Sequence, residues 1–321
     1  MTRAAAALLL LCALGVARAQ EAAAPAPPRL ESEWKLDVPA GSEEEVWAWL
    51  VRRYSAGPGS ILPELGQGFS ASTSDEDFLD DYFDDTKFSL LRLEAGLRHR
   101  GRWFREDTTN RKHGRELLQL KGAGSQVRTE QKWDVRPLAD EWRNDPEENV
   151  PGMQLLARGE RDELRAALKA MGVDADDLIH ALQIQQRRRR VYVAQGGSAY
   201  ATITLDEARP RKLWWRTSFA EIELELNEIR YTAASPAERE VMEQKNARIA
   251  GDLMQAFPGI RRDQTPKYNK AFARLEQGAW LFRPSLVIGL PLPLLLLLPP
   301  LVAGLLVAAA RRQARLVVRW R

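Results

Sequence analysis

Cysteine is almost missing from this chain of 321 residues, and the single example, Cys12, lies close to the amino terminus. The surrounding segment, Met1 to Ala19, has a positive start, an apolar run and a small-x-small cleavage site, which together are typical of a secretory signal. We therefore predict a mature chain without cysteine. That prediction excludes disulfide bonds and thiol chemistry, so the folded domain must be held together by its apolar core.

Histidine is also scarce, and the three examples have no spacing typical of metal ligands. No serine or cysteine nucleophile motif is found. The net charge is only +3, which gives no general polycationic character for binding nucleic acid. Any chemistry must therefore depend on carboxylates, lysines and arginines, and on the faces where these side chains collect.

Two further segments flank the central region. Residues 20–29 are rich in alanine and proline and are predicted to form a linker. Leu286 to Ala310 contains no charged residue and is long enough to cross a bilayer of about 30 Å, which predicts a transmembrane helix. Residues 311–321 contain five arginines, so the positive-inside rule predicts a cytoplasmic tail. We expect a single-pass protein of the cell membrane whose globular domain is periplasmic or otherwise extracytoplasmic.

The most regular pattern is Glu221 to Leu226, in which three glutamates alternate with three aliphatic residues. As a strand, this segment places three like charges on one face, which persist only if they are solvated or neutralised. Charged alternation recurs in Leu30 to Leu36, Leu117 to Lys121 and Val127 to Val135, there including basic residues. We therefore predict an α+β fold with a closed antiparallel eight-stranded β-barrel, a polar lumen and outer helices.

Other segments complete the predicted fold. Ser42 with Glu45 predicts a helix through about Tyr54, and Ser235 with Glu238 predicts one through about Phe257. Ala56 to Asp77 is predicted to be a loop because it is rich in glycine, serine and aspartate. A helical insertion is expected at about 137–181, with helices at Glu160 to Met171 and Asp174 to Leu182.

The order of short motifs resembles the CYTH domains, within the triphosphate tunnel metalloenzymes, over about residues 30–275. The matching motifs, in chain order, are Glu31-Ser32-Glu33-Trp34-Lys35 (ExExK), Tyr82-Phe83-Asp84, Leu97-Arg98-His99-Arg100 (LRxR), Leu120-Lys121-Gly122, Arg128-Thr129-Glu130, Leu205-Asp206, Glu221 to Leu226 and Lys267-Tyr268. The VTC polyphosphate-polymerase domains are a related branch with a similar tunnel.

The resemblance implies a divalent cation, Mg²⁺ or Mn²⁺, and a basic tunnel for phosphates. The implied metal ligands are Glu31, Glu33, Glu221, Glu223 and Glu225. The implied phosphate-binding residues are Lys35, Arg98, Arg100, Lys121, Arg128, Arg189 and Lys267. Glu33, Lys35 and Asp206 are the implied catalytic residues. The run Arg187 to Arg190 does not itself indicate whether its odd-numbered or its even-numbered side chains face inward. The spacing from Arg189 to Tyr192 is similar to the family's Arg-x-x-aromatic spacing, which favours Arg189 as an inward-facing residue.

Three functions are compatible with these residues. The first is a membrane-tethered, metal-dependent hydrolase of triphosphate, polyphosphate or an organic triphosphate. The second is a polyanion-binding module without turnover, and the third is a VTC-like polyphosphate polymerase. No nucleic-acid partner is expected, and the sequence does not indicate an oligomeric state. For any single charged pair, an ordinary surface salt bridge is the simpler interpretation, worth roughly 0–1 kcal/mol.

Overall fold

The computed structural model describes residues 29–54, 62–104, 116–123, 127–135 and 150–278. The predicted signal, nearly all of the linker, the predicted membrane span and the basic tail lie outside these ranges. Within them, no helix has the length and apolar composition needed to cross a membrane.

Eight antiparallel strands close into a barrel, as predicted. They are β1 (Arg29–Val38), β2 (Phe69–Asp84), β3 (Gly96–Phe104), β4 (Leu117–Lys121), β5 (Val127–Asp134), β6 (Ile179–Gln195), β7 (Ser198–Lys212) and β9 (Phe219–Leu226). The order around the barrel is β1-β5-β4-β3-β2-β6-β7-β9, and β9 returns to β1. Two short strands, β8 (Trp215–Arg216) and β10 (Arg261–Arg262), add to β7 and β1.

Strand β1 closes the barrel by changing partner along its length. Its first half pairs with β5, with Glu31 opposite Arg128. Its second half pairs with β9, with Glu33 opposite Glu225 and Lys35 opposite Glu223. Because side chains alternate along a strand, this register directs the charged residues of β1 and β9 to the same side, the lumen.

Seven helices surround the barrel in the described residues. They are α1 (Glu43–Tyr54), α2 (Leu62–Leu65), α3 (Ser89–Arg92), α4 (Arg158–Ala170), α5 (Glu228–Ala233), α6 (Pro236–Ala256) and α7 (Lys267–Gly278). The apolar outer faces of β1, β6, β7 and β9 pack against α1, α2 and α6 in one core. The outer faces of β3 and β4 pack against α4 in a second core. Burial of these aliphatic faces stabilises the barrel around its charged interior.

The predicted helix starts at Ser42 and Ser235 are confirmed. Helix α1 begins at Glu43, and α6 begins at Pro236 with Ser235 as its N-cap. The Ser235 hydroxyl accepts a hydrogen bond from the Glu238 backbone N–H at 3.4 Å, and the Glu238 carboxylate accepts one from the Ser235 backbone N–H at 2.8 Å. This reciprocal capping explains why the sequence signal at Ser235 was reliable, whereas the Ser42 hydroxyl donates to the Pro39 carbonyl at 2.6 Å.

Helix α7 closes one end of the barrel, which we call the plugged end. Its Tyr268 stacks on Tyr82 of β2 with ring centroids 4.9 Å apart. Three apolar residues that share the lumen parity, Ile184, Ala208 and Phe219, are buried in the same cluster. The lumen is therefore apolar at this end and charged along the rest of its length.

Two sequence predictions were wrong. The loop expected over Ala56 to Asp77 ends early, since β2 already begins at Phe69. The start of this strand is a run of small and polar residues followed by Asp75, Glu76 and Asp77, and most of it is not buried, so it lacks the usual apolar signal. The helix expected over Asp174 to Leu182 is a 3-10 turn at Ala175–Asp177, and β6 begins at Ile179.

Candidate functional site

The lumen brings together twelve of the thirteen residues that the sequence analysis singled out. They are Glu31, Glu33, Lys35, Arg98, Arg100, Lys121, Arg128, Asp206, Glu221, Glu223, Glu225 and Lys267. Strands β1, β7 and β9 supply most of these carboxylates. Strands β3, β4 and β5 contribute arginines and lysines across from them. The residues that the sequence scatters over more than 200 positions thus face one shared interior.

Three carboxylates converge on one side of the lumen and form what we call the mouth cluster: Glu31, Glu33 and Glu225. One oxygen from each lies within 4.8 Å of the others. Lys121 binds Glu31 at 2.6 Å, and Arg128 binds Glu31 at 2.9 Å and also contacts Glu33. Lys35 lies 2.7 Å from Glu33. The first two carboxylates therefore have basic partners.

Glu225 has a different electrostatic environment from the rest of the mouth cluster. Burial and the negative charges of Glu31 and Glu33 raise the pKa of Glu225 to about 7. For Glu31, burial opposes ionisation, but Lys121 and Arg128 hold the pKa below its usual range. The mouth cluster is therefore short of positive charge at Glu225.

A second set of carboxylates lies further inside the barrel and is called the deep cluster: Asp206, Glu221 and Glu223. One oxygen from each again lies within 4.8 Å of the others. The Lys267 ammonium lies 3.1 Å from Glu221 and 3.2 Å from Glu223, and it also contacts Asp206. Arg188 donates to Asp206 and, at 2.6 Å, to Glu223.

These contacts compensate the negative charge of the deep cluster. Burial opposes ionisation of Glu223, but Lys267 and Arg188 hold its pKa well below the usual value. The same two cations keep the pKa of Asp206 low against the effect of burial. Asp206 and Glu223 are consequently ionised and neutralised by side chains of the chain itself.

The opposite wall of the lumen is basic. Arg100 forms a two-pronged contact with Asp80, with both N–O distances 2.6 Å, and Arg98 lies 3.4 Å from the same carboxylate. Nearer the open end, Arg102 and Arg190 both bind Glu76, at 2.7 and 3.2 Å. The wall therefore holds its guanidinium groups in fixed positions through buried carboxylates on β2.

An aromatic ring supports this basic wall. Phe78 lies beneath four guanidinium groups, with its ring centroid 4.8 Å from Arg100, 5.4 Å from Arg188, 5.2 Å from Arg190 and 5.9 Å from Arg102. Cation–π contacts of this kind hold the guanidinium planes without using their hydrogen-bond donors. The donors are therefore left to the carboxylates that now bind them and to an anion that displaces those carboxylates.

A cavity of about 220 Å³ lies between the mouth cluster and the basic wall. Side-chain exposure falls along the barrel, from 29% at Arg102 and 25% at Lys132 to 4% at Lys267 and 0% at Glu221. The open mouth is thus at the end of Arg102, Lys132 and Glu225, opposite the plugged end.

Arg189 was predicted to face the lumen, and that prediction was wrong. Its guanidinium lies on the outer face, 2.7 Å from Glu44 on α1 and 2.9 Å from Glu207, with the Trp47 ring 5.4 Å away. Arg189 faces outward because Val191 and Val193, on the same face of β6, are buried under the helices. That apolar pair was the sequence signal that could have decided the parity.

Sequence reasoning missed several lumen residues. Arg188 and Arg190 have the inward parity in the arginine run, and Glu76, Phe78 and Asp80 line the lumen from β2. The β2 residues share the parity of Tyr82, which a motif had already marked. Extending that alternation backwards would have found Phe78 and Asp80, and also Glu76, which lies in the segment assigned to a loop.

Two of the matched motifs have a structural role at the plugged end. The Tyr268 hydroxyl donates to Asp84 at 3.0 Å, and the same carboxylate accepts backbone N–H groups of Leu90 and Leu91 at 2.9 and 3.0 Å. Burial raises the pKa of Asp84 despite these bonds. These contacts fix α7 and α3 to the end of β2.

The mouth cluster fits a divalent cation. Its donors are carboxylate oxygens, which Mg²⁺ and Mn²⁺ prefer, and the raised pKa of Glu225 marks a negative charge without a full counter-charge. The deep cluster has the same donors, but Lys267 already lies among them. The two clusters therefore contain the same kind of ligand atoms, but only those of the mouth cluster are available to a divalent cation.

Comparison with known proteins gives one family match. The CYTH domain model matches residues 60–249, more than half of the chain. No curated protein matches the sequence.

Several solved structures are similar at low identity. A Hippeastrum adenylyl cyclase candidate, described as having a dominant triphosphatase activity, has 18% identity and a TM-score of 0.41, with 77% of this chain and 96% of that chain covered. The PH1819 protein of Pyrococcus horikoshii has 17% identity and a TM-score of 0.37, with coverage of 72% and 92%. The S. pombe RNA triphosphatase Pct1, in complex with the Spt5 CTD, has 11% identity and a TM-score of 0.33, with coverage of 71% and 83%. Likenesses this distant do not bear on what this chain does.

Proposed function

The chain belongs to the CYTH domain family, and from this membership and the geometry of the lumen we propose that it is a metal-dependent phosphohydrolase. Its substrate would be inorganic triphosphate, polyphosphate or an organic triphosphate. The observation that carries the proposal is the cavity between the mouth cluster and the basic wall, where carboxylates and guanidinium groups face each other across a solvent-accessible space.

The basic wall provides the groups that would bind the substrate. Arg100, Arg102 and Arg190 present planar donors that match phosphate oxygens, and Lys121 and Lys132 add point charges from β4 and β5. Entering phosphates would compete with Glu76 and Asp80 for these donors. The wall is therefore preorganised in the free protein, with its carboxylate partners standing in for an anion.

Glu31, Glu33 and Glu225 would hold Mg²⁺ or Mn²⁺. When bound there, the cation supplies Lewis-acid polarisation of phosphoryl oxygens at the terminal phosphate. Lys35, 2.7 Å from Glu33, lies beside the cluster to orient that carboxylate. Burial lowers the pKa of Lys35, and Glu33 counters that effect.

Asp206 has a different role in this proposal from the catalytic one that the resemblance implied. It is buried between Arg188 and Lys267 and has no exposed surface. We assign it to positioning these two cations. Arg188, with its second contact to Glu223, then faces the cavity in a fixed orientation.

We further propose that the domain is tethered to the cell membrane and faces away from the cytoplasm. The support is the sequence pattern alone: the signal-like start, the apolar stretch Leu286 to Ala310 and the arginines that follow it. A reporter fused after Arg321 that proves to be outward-facing would contradict this orientation.

The test of the activity is phosphate release from tripolyphosphate by the purified chain, with Mg²⁺, with Mn²⁺ and after chelation. ATP and long-chain polyphosphate serve as the alternative substrates. Glu33→Gln should abolish the metal-dependent release, and Glu240→Gln, an exposed carboxylate on α6, is the matched control.

Three outcomes are informative. Metal-dependent release that only Glu33→Gln abolishes supports the hydrolase. Tight tripolyphosphate binding without release would replace the hydrolase with a polyanion-binding module. Incorporation of phosphate from a nucleotide into polyphosphate would indicate the polymerase instead.

A further inference from the structure

The exposed apolar side chains of the described residues are concentrated at the plugged end. Of six large ones, four lie there: Leu93 (40% exposed), Ile179 (38%), Leu213 (56%) and Trp214 (44%). Leu93 lies between the end of β2 and the start of β3, Ile179 begins β6 opposite Asp84, and the other two link β7 to β8. Strand ends with different sequence origins thus contribute exposed apolar side chains to the surface of this end.

The most prominent part of this surface is the turn between β7 and β8. Leu213 has φ of 54°, in the left-handed region that a branched side chain rarely adopts. Trp214 lies against Trp215, with ring centroids 4.5 Å apart, and Trp215 packs onto the apolar cluster of the plug. The turn therefore holds Leu213 and Trp214 outward, and it holds Leu213 in a backbone conformation that does not favour it, which points to a role outside the fold itself.

Basic residues flank this turn. Arg209 and Arg211 on β7 and Arg216 on β8 are exposed, and Arg211 lies directly opposite Arg216. Like charges at opposed positions repel each other, and an anionic surface would relieve that repulsion. Tryptophan beside arginine is the combination that prefers the boundary between lipid headgroups and acyl chains.

The chain leaves the barrel at the same end. Leu275, in the last turn of α7, and Trp215 belong to one apolar cluster, so α7 ends beside the turn. After Gly278, only the seven residues 279–285 precede the apolar stretch that begins at Leu286. Seven residues reach at most about 25 Å, so that stretch must start close to the plugged end.

We propose that the plugged end docks on an anionic lipid bilayer. Leu213 and Trp214 enter the interface, and Arg209, Arg211 and Arg216 contact headgroup phosphates. The open mouth lies at the opposite end of the barrel, so docking in this orientation presents the substrate cavity to the aqueous phase. This inference extends the proposed tether from the C-terminal segment to the folded domain, and it does not depend on the chemistry in the lumen.

The test uses the full chain with its single cysteine removed by Cys12→Ser. An environment-sensitive fluorophore is attached at one new cysteine at a time: Leu213→Cys at the turn, Ile179→Cys elsewhere at the plugged end, or Ile229→Cys as the control. Ile229 is 65% exposed and follows β9 at the mouth end. A fourth probe, Ala303→Cys, reports on the apolar C-terminal stretch.

Each labelled chain is reconstituted into phosphatidylcholine vesicles with and without phosphatidylglycerol, and quenching by brominated acyl chains is measured. We expect at least several-fold stronger quenching at positions 213 and 179 than at 229. Arg211→Glu combined with Arg216→Glu should reduce quenching at 213 on anionic vesicles to its level on neutral ones. Ile179→Cys provides the answer if the turn variant fails to fold.

Other results would overturn the proposal. Quenching at 303 but not at 213 or 179 would mean that the chain is tethered while the domain stays in solvent. Shielding of the 213 probe without lipid would mean that another segment of the chain covers the turn. Shielding that rises with protein concentration would mean that a second copy covers it.

Discussion

The mouth cluster and the deep cluster consist of the same chemical groups in the same lumen, yet only the mouth cluster contains a carboxylate whose pKa is raised. In the deep cluster, Lys267 and Arg188 neutralise three carboxylates that solvent barely reaches. In the mouth cluster, Lys121 and Arg128 bind Glu31, and Arg128 also contacts Glu33. Burial and the charges of those two glutamates raise the pKa of Glu225 to about 7. A set of carboxylates is thus a candidate cation site where the basic side chains around it leave one carboxylate short of positive charge.

The difference also separates stability from function within one barrel. A buried, fully paired charge cluster is expensive to disturb, because removing one partner leaves the others without compensation. A cluster with an unsatisfied charge is poised to bind a ligand that supplies the missing charge. The deep cluster therefore belongs to the barrel's structure, and the mouth cluster to its proposed chemistry.

The largest expected effect comes from breaking the deep cluster. Lys267→Met removes the ammonium from three buried carboxylates and should lower the free energy of unfolding by about 3–5 kcal/mol. Chemical denaturation followed by circular dichroism measures this loss. Lys169→Met, at an exposed position on α4, should change stability by less than about 0.5 kcal/mol.

Adding Mn²⁺ to the same experiment tests whether Lys267 occupies a potential cation site. If Lys267 occupies what would otherwise be a cation site, Mn²⁺ should restore part of the lost stability in Lys267→Met more than it stabilises the parent chain. A loss below about 1 kcal/mol would show that the deep cluster is not held by its lysine, and the contrast between the clusters would fail.

The next effect is on activity at the mouth cluster. Glu225→Gln keeps the shape of the side chain but removes the charge that a divalent cation needs, so phosphate release from tripolyphosphate should fall by about 100-fold or more. Steady-state assays at saturating metal, compared with Glu240→Gln, provide the measurement. Unchanged turnover in Glu225→Gln would remove Glu225 from the proposed machinery.

The raised pKa of Glu225 predicts a smaller effect of pH on stability. The protonated carboxyl favours the folded state, and that contribution is lost as the pH rises from about 5 through 7, where the folded protein must ionise Glu225 beside like charges. The free energy of unfolding should therefore fall by about 1–2 kcal/mol more in the parent chain than in Glu225→Gln between about pH 5 and 8. The pKa values of Glu31 and Glu223 are lowered, so their contribution to stability is fully present above about pH 5 and is lost only as the pH falls below that range.

Denaturation curves at several pH values check this prediction. Histidine titration is common to both proteins and cancels in the difference. Saturating Mg²⁺ should abolish the difference in the parent chain, because the cation supplies the missing charge. Parallel pH curves for the two proteins would contradict the raised pKa of Glu225.

Most of the lumen residues could be predicted from the sequence. Where a strand alternates between charged and apolar residues, the alternation shows which side chains face the lumen. Glu221 to Leu226 and Val127 to Val135 each have one charged and one apolar face, and both were placed correctly. The parity of Arg189 was missed because that part of β6 is charged on both faces, and its outer face is buried against Glu44 and Trp47 of α1. The contact with α1 is not contained in any local pattern, since helix and strand are 145 residues apart, and only the valines that follow at 191 and 193 indicate the outward parity.

The difference between the mouth cluster and the deep cluster also could not be predicted from the sequence. Lys267 was predicted as a phosphate-binding residue, and every glutamate of β9 as a metal ligand. Which carboxylates Lys267 neutralises depends on how far α7 enters the barrel, which apolar packing of Tyr268 on Tyr82 determines. The availability of a charged site is thus decided by a contact between uncharged side chains.

The smallest expected effect comes from removing a lysine from the mouth cluster instead of the deep one. Lys121→Met takes away the 2.6 Å contact to Glu31, but Arg128 still holds that carboxylate and solvent reaches the site. The free energy of unfolding should fall by only about 1 kcal/mol, well below the loss for Lys267→Met. The loss of one positive charge should strengthen Mn²⁺ binding severalfold, measured by isothermal titration calorimetry, while tripolyphosphate binding weakens. Equal stability losses in the two lysine variants would mean that burial, and not function, accounts for both clusters.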